Sequence, residues 1–483
     1  MEERGDLLGA EVQLGRRGFL AGATAAAAVG AGCMPGNRQL LEMQAEALPI
    51  QEEEKAAKRP NVLLIVTDDH PKHAAWALRK TRKWLAKGGV EYVHGHTTTP
   101  LCAPARASIF SGRYAHNHGV RDNHQKLAFD QDATIQRHLR DAGYRNGMFG
   151  KYLNEWRIAS PPEHFEDFAV LSPVGYVDGR FNHNGRIAKL PGYTTHRIRD
   201  FARDFIRRGK TDPRPWFAYV APYGSHAPFT PEERYKDARV PAWSGRPSMA
   251  EADESDKPAY LRDADVSKTR GQTIRRQQMR TLLSVDDAVQ ALRDELEATG
   301  QLDNTLVIFI GDNGFLWADY GWARKSVPYR PAIEVPFFLS WPAGGLASGT
   351  KDRRLVANID ISATVLDAAG IKPRTPQDGR SLLRRGSRDH LLVEFWRRGV
   401  DPRLPHSWAS YVTRTEQYTE YYDLRTNASG RPVGSGKVLF REYYDLVKDP
   451  YQLVNKLHGA SRAQEKDWGI PALASRLSAS RTV

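Results

Sequence analysis

The sequence predicts an α/β fold: a mainly parallel central sheet flanked by helices, followed by a small antiparallel sheet near the C-terminus. Three observations carry this. Short continuous apolar runs at 61–67, 216–220, 305–310 and 335–341 have the pattern of strands buried on both faces. Helix-length segments separate them; in the clearest, Leu282, Val285, Val289, Leu292 and Leu296 recur at helical spacing and Gly300 closes the run. After about residue 385 the pattern changes to short strands rich in Tyr and Trp, at 391–396 and 411–413. Strands alternating with helices place helices on both faces of a sheet.

Taken in order, the chain divides into four parts. Residues 1–33 carry Arg16-Arg17 before an Ala-rich apolar stretch, which reads as a Tat-type export signal. Cys33 at its end is a candidate for lipid attachment, although Gly30 stands where Leu or Val is expected. Residues 34–58 form a polar, Glu-rich linker. Residues 59–384 hold the main α/β domain, and 385–483 a small α+β domain. Export to the cell envelope or beyond, through a Tat translocase, is therefore expected. Within the main domain, residues 229–268 are rich in Pro and charged residues with little periodicity. They are either a substrate-side loop or a solvated excursion.

Composition narrows the function classes. Hydrophobic content of 40% with 26% charged residues is that of an ordinary globular chain, and no apolar run beyond the N-terminus is long enough for a bilayer. The formal net charge is +13. Such a surface attracts anions, a sulfated polysaccharide for instance, or it is simply Arg-rich with its charges spread evenly. No basic run with interleaved aromatics appears, so nucleic acid is not an expected partner.

Chemistry gathers at strand ends. The first strand runs into Asp68-Asp69, and 305–310 runs into Gly311-Asp312-Asn313-Gly314. In open α/β sheets ligands bind beyond the carboxyl ends of strands. Three carboxylates and one amide carbonyl are hard oxygen donors, suited to Ca²⁺ or Mg²⁺ rather than zinc. Each motif has a plainer explanation, Asp68-Asp69 as a helix cap and Asp-Asn-Gly as a turn. Their joint occurrence favours one divalent cation, Ca²⁺ first.

The chain has two cysteines. One is Cys33; the other, Cys102, therefore has no disulfide partner in the exported domain. It opens Cys102-Ala103-Pro104-Ala105-Arg106, and Pro104 fits the first turn of a helix beginning there. This C-x-P-x-R pentapeptide resembles the modification signature of the type I sulfatases of the alkaline phosphatase superfamily. The resemblance extends from about 59 to 455. It rests on the opening strand through Asp68-Asp69, on Gly150-Lys151-Tyr152-Leu153-Asn154, and on Ser225-His226-Ala227-Pro228. Lys325-Ser326-Val327-Pro328-Tyr329, Asp360 to Asp367, and Tyr443-Tyr444-Asp445-Leu446 extend it. Thr81-Arg82-Lys83, His116-Asn117-His118 and the stretch through Glu155 are most similar to the glucosamine-6-sulfatase and heparan endosulfatase group.

The resemblance implies an alkaline-phosphatase-like fold and hydrolysis of a sulfate ester. The first-guess substrate is a 6-O-sulfated glucosamine unit of a sulfated carbohydrate. It implies that a formylglycine-generating enzyme converts Cys102 to an aldehyde, whose hydrate attacks sulfur and then collapses to expel sulfate. The catalytic set becomes Cys102, Arg106, Lys151, His226 and Lys325. The cation is held by Asp68, Asp69, Asp312 and Asn313, with the modified Cys102 beside them. His226 is the candidate acid for the departing alcohol. Two positions depart from the family pattern. Leu153 stands where many sulfatases have a His, which leaves the regenerating base open; His116 or His118 either serves or shapes the pocket. Phe315-Leu316-Trp317 also lacks a family His, and with Leu153 it is expected to reshape the sugar subsite. A phosphonate or phosphate ester hydrolase on the same scaffold is the alternative. A binding protein that has lost catalysis is a third reading, against which the intact motifs stand.

Overall fold

The computed structural model describes residues 59–481, apart from 126–127, 252 and 402–403. The expected export signal and linker, with Cys33, lie outside the described residues. The apolar runs become strands of a ten-stranded sheet. In chain order these are β1 (Asn61–Thr67), β2 (Val90–His96), β3 (Arg145–Gly150), β4 (Asp167–Leu171), β5 (Arg180–His183) and β6 (Arg186–Lys189). β7 (Trp216–Ala221), β8 (Thr305–Gly311), β9 (Phe337–Ser340) and β10 (Thr350–Ala357) complete it. The spatial order is β10-β2-β9-β8-β1-β7-β3-β4-β5-β6.

Five neighbours, β8, β1, β7, β3 and β4, run parallel, and β10 runs parallel to β2. β9 is antiparallel to both β2 and β8, and β5 and β6 add an antiparallel hairpin at one edge. The reversal at β9 follows from its connection. Between β8 and β9 lies only the four-residue helix Arg330–Ile333, too short to carry the chain back along the sheet, so the chain re-enters from the end at which it left.

Helices cover both faces because β1 alternates between two cores. Val62, Leu64 and Val66 pack with α1 (Cys102–Ser111), α2 (Ile135–Asp141) and a helix at Asp360–Ala368, through Ala103, Ala107, Leu139, Ile361 and Val365. Leu63 and Ile65 face the helices Thr194–Arg208 and Lys268–Ala298. The latter, called α4 with Thr194–Arg208 as α3, holds the predicted Leu282 to Leu296 stripe on its buried side. Numbered in the same order, Asp360–Ala368 is α5.

The C-terminal region forms a four-stranded antiparallel sheet: Leu391–Phe395, Ser407–Val412, Glu416–Tyr422 and Val438–Asp445. One face packs Val393, Phe395, Trp408 and Tyr421 against Leu316, Tyr320, Val327 and Tyr329 of the β8–β9 connection. The other packs Tyr411, Tyr418 and Tyr443 against α6 (Ile470–Ser480). The small sheet thus braces the segment that carries Lys325. No helix among the described residues is long and apolar enough to cross a membrane.

Candidate active site

Parallel strands share one carboxyl edge, and four adjacent strands end at this one. β8 leads into Asp312-Asn313, β1 into Asp68-Asp69, β7 into Ser225-His226 and β3 into Lys151. Cys102 is the first residue of α1, as Pro104 predicts, and all ten residues of that helix are buried. The Ala103 N–H is capped by Asn123 Oδ1 at 3.0 Å. Gly150 has φ 110°, and a Cβ there would lie 2.2 Å from the Ala221 carbonyl oxygen, so only glycine lets β3 turn out beside β7 to present Lys151.

The side chains converge. Cys102 Sγ lies 3.2 Å from Asp68 Oδ1 and 3.8 Å from Asp69 Oδ1, and Lys325 Nζ reaches Sγ at 2.7 Å. Lys151 Nζ donates to Asp68 Oδ2 at 2.5 Å, and Lys325 pairs with Asp69. Arg106 Nε donates to Asp312 Oδ2 at 2.9 Å, while its Nη1 donates to the Lys151 carbonyl and to Tyr219. His226 Nε2 stands 3.6 Å from Asp69 Oδ2. Its Nδ1 lies 2.8 Å from both the Tyr223 hydroxyl and the Ala227 carbonyl, which leaves Nε2 facing the carboxylate.

Asp68, Asp69, Cys102 and His226 offer ligand atoms within 4.8 Å of one another. Asp312 joins them one step back, since its Oδ1 accepts the N–H groups of Asp69 and Asn313. Asn313 Nδ2 donates to Asp69 Oδ1, and Asn313 Oδ1 is buried without a partner among the described residues. An orphaned carbonyl oxygen beside clustered carboxylates fits a hard divalent cation.

Charge in this buried centre is tightly coupled. Burial pushes Asp68 up, but Lys151, His226, Arg106 and Lys325 outweigh it and hold the carboxyl well below its ordinary range. Asp312 is raised by burial and by the charge of Asp68. Burial, then Asp68, pushes the Cys102 thiol well above its usual value, so the unmodified side chain is a neutral thiol and a poor nucleophile. Burial alone would lower Lys325, yet Asp69, Cys102 and Asp68 hold it well above the ordinary lysine value.

Several supporting residues were not candidate site residues, Ser225 among them although it lies in the Ser225-to-Pro228 motif. Gln278, on the buried stripe of α4, donates to the carbonyls of Asp69 and Ser225 and accepts from the Trp317 indole. Ser225 Oγ donates to the Asp69 carbonyl at 3.1 Å. Tyr219 and Tyr223 hold Arg106 and His226. A single Gln among apolar stripe positions was the signal available for Gln278; nothing local marked the tyrosines.

The positions that depart from the family pattern lie in different surroundings. Leu153 and Leu316 are both buried in hydrophobic clusters, and neither is among the residues lining the cleft over Asp69, His226 and Lys325. Phe315 is the residue of its triplet at the cleft besides the site loop. His116 pairs with Glu394 at 2.8 Å. His118 accepts from the Val120 N–H and lies 3.0 Å from Ser108 Oγ, a structural placement. The 229–268 excursion is substrate-side at both ends: Phe229 and Val266 line the cleft. Between them, Arg246 and Ser248 grip Asp319 and Trp243 packs on Trp317. The cleft, about 600 Å³, opens over Asp69, His226 and Lys325.

Comparison with known proteins agrees with this geometry. The sulfatase family model matches residues 60–371, and that of the N-sulphoglucosamine sulphohydrolase C-terminal region matches 318–467. The chain belongs to the sulfatase family. It is 30% identical over 348 residues to an extracellular sulfatase SULF-1 homolog of Drosophila melanogaster, covering 68% of this chain and 31% of that one. It is 29% identical over 451 residues to human N-acetylglucosamine-6-sulfatase, covering 82% and 81%. The chain thus spans about a third of the fly relative's length and about half (55%) of a similar nematode protein's. A solved structure of a protein in complex with its substrate D-glucosamine-2-N,6-O-disulfate superposes with a TM-score of 0.75 at 20% identity, covering 88% of this chain and 98% of that one. At that identity the likeness is one of fold.

Proposed function

We propose that this protein is an exported sulfuric ester hydrolase acting on a sulfated sugar, with 6-O-sulfated glucosamine as the preferred unit. Cys102 carries the reading. It begins a buried helix directly behind the cleft residues Asp69 and Lys325, within reach of Lys325 and two carboxylates. Conversion of Cys102 to formylglycine supplies a hydrated aldehyde as nucleophile where the native thiol is inert. Asp68, Asp69, Asn313 and Asp312 would hold one Ca²⁺, which supplies Lewis-acid polarisation of the ester.

The chain's own residues do the rest. A sulfate ester's oxygens repel a nucleophile. Lys325 and Lys151 flank Cys102 and Asp68 with fixed positive charge where negative charge builds up. Arg106, fully buried, locks Asp312 and the Lys151 backbone and so sets their positions. His226 is placed to hold a proton at Nε2 and deliver it to the leaving alcohol, oriented by Tyr223 and the Ala227 carbonyl. With Leu153 apolar, His226 is the sole imidazole in the described cluster and serves both proton transfers. The relatives named as extracellular sulfatases support export, as does the twin-arginine segment.

Turnover of N-acetylglucosamine 6-sulfate, an aryl sulfate and a phosphonate monoester by enzyme from its native host tests this. The sugar sulfate is expected to be hydrolysed fastest by kcat/KM. Preference for the phosphonate would overturn it in favour of the alternative.

A further inference from the structure

The cleft carries more positive charge than one sulfate ester requires. Its lining includes Arg270, Arg324, Lys325, Arg397 and Arg398 against two carboxylates, Asp69 and Asp122. Both carboxylates are engaged, Asp69 by Lys325 and Asn313, Asp122 by Thr426 and Arg398. Arg397 donates one Nη to the Asp401 carbonyl. Arg270 and Arg324 are exposed at the rim, and neither guanidinium has an ion pair or hydrogen bond among the described residues. Other arginines of the chain, such as Arg207, Arg354 and Arg441, are paired with carboxylates.

Arg270 adds an independent sign. It sits in the first turn of the 31-residue α4 beside Lys268, with no acidic residue in that turn. Cations at the positive end of a helix are electrostatically disfavoured; an anion there relieves the strain. Trp322 and the half-buried Trp396 border the same space, and the Trp396 ring is fixed by its N–H to Glu394. Flat apolar faces beside unpaired guanidiniums suit a sugar ring bearing a second negative group.

Resting on the sulfatase reading above, we propose that Arg270 and Arg324 bind a second anionic group of the substrate while its sulfate ester sits at Cys102. That group is a sulfate or carboxylate on the same ring or the neighbouring one. The residues determine specificity through binding and leave bond breaking to the buried centre.

The test compares three substrates at low salt, for wild type and the double variant R270A/R324A. They are N-acetylglucosamine 6-sulfate, glucosamine 2-N,6-O-disulfate, and a disaccharide placing a uronate beside 6-O-sulfated glucosamine. Wild type is expected to show a KM about tenfold lower for at least one doubly anionic substrate, whose identity tells same ring from neighbouring ring. The variant should shrink that ratio to about twofold, and added salt should shrink it in wild type. Equal KM values in wild type, or a preference that survives in the variant, would overturn the proposal. If no sulfate ester is hydrolysed, the sulfatase reading fails on its own. Calorimetric binding of a heparin-derived tetrasaccharide then still decides the subsite, with about tenfold weaker binding by the variant expected and equal binding contradicting it.

Discussion

Around Cys102, three carboxylates and three cationic side chains are packed into one largely buried cluster, so single substitutions there have separable signatures. Cys102→Ala removes the nucleophile from a helix whose residues remain buried. Turnover should vanish while the urea unfolding midpoint shifts little; retained turnover would remove the assignment. His226→Gln keeps a polar side chain but loses the proton donor. Hydrolysis of a sugar sulfate, with its poor leaving group, should fall about 10²–10⁴-fold. An aryl sulfate, whose alcohol leaves as a stabilised anion, should lose far less. Equal losses on both would show that His226 does not protonate the leaving group. The orphaned Asn313 Oδ1 bears on the cation: CaCl₂ should raise the melting temperature of wild type after chelator treatment, and less so that of Asn313→Ala. An identical rise in both would remove Asn313 from the ligand set.

At the scale of elements, the site depends on α1 being held rigidly at both ends. Asn123 caps its start, and Gly112, with φ 69°, ends it. A Cβ at Gly112 would lie 2.0 Å from Gln377 Oε1 and 2.9 Å from Ser362 Cβ. Gly112→Ala should therefore destabilise by about 1–3 kcal/mol, read as a lower denaturant midpoint. It should also lower kcat, because α1 carries both Cys102 and Arg106. Much of this element was legible in the sequence, since Pro104 and the apolar run after it mark a helix start. The strands at 61–67, 216–220 and 305–310 were equally legible, because burial on both faces leaves continuous apolar runs. β10 was not: its first half, Thr-Lys-Asp-Arg-Arg, lies at the solvent-facing edge and carries no apolar pattern. Neither was the antiparallel sense of β9, which is set by the connection rather than by any residue in the strand. At the site, motifs at strand ends identified the charged centre. The tyrosines and Ser225 that position it belong to strands and turns where hydrophobic pattern says nothing about hydrogen bonding.

Across the whole molecule, the two cores and the small sheet enclose several neutral imidazoles. Burial lowers His118 to about 3 and His96 to about 4. In the unfolded chain each titrates near the ordinary value of about 6.5. A base with a depressed folded value binds protons preferentially when unfolded. Its contribution is thus fully present above about pH 6.5 and is lost as pH falls toward 4 and 3. Urea midpoints should drop between pH 7 and pH 5 by an amount on the order of 1–2 kcal/mol per buried His. His118→Gln should flatten that slope, whatever it does to stability at pH 7; an unchanged slope would show that His118 is not the source. At the same scale, the braced β8–β9 connection links the small sheet to Lys325. Residues 385–483 are proposed as a structural module that fixes one wall of the cleft.

The most direct test of the whole account is the mass of the peptide containing Cys102, from active enzyme purified from its native host. The account predicts the aldehyde in place of the CH₂–SH group, in a fraction of molecules that tracks sulfatase activity across preparations. A preparation in which Cys102 is entirely an unmodified thiol, yet which hydrolyses the sugar sulfate at full rate, would contradict it.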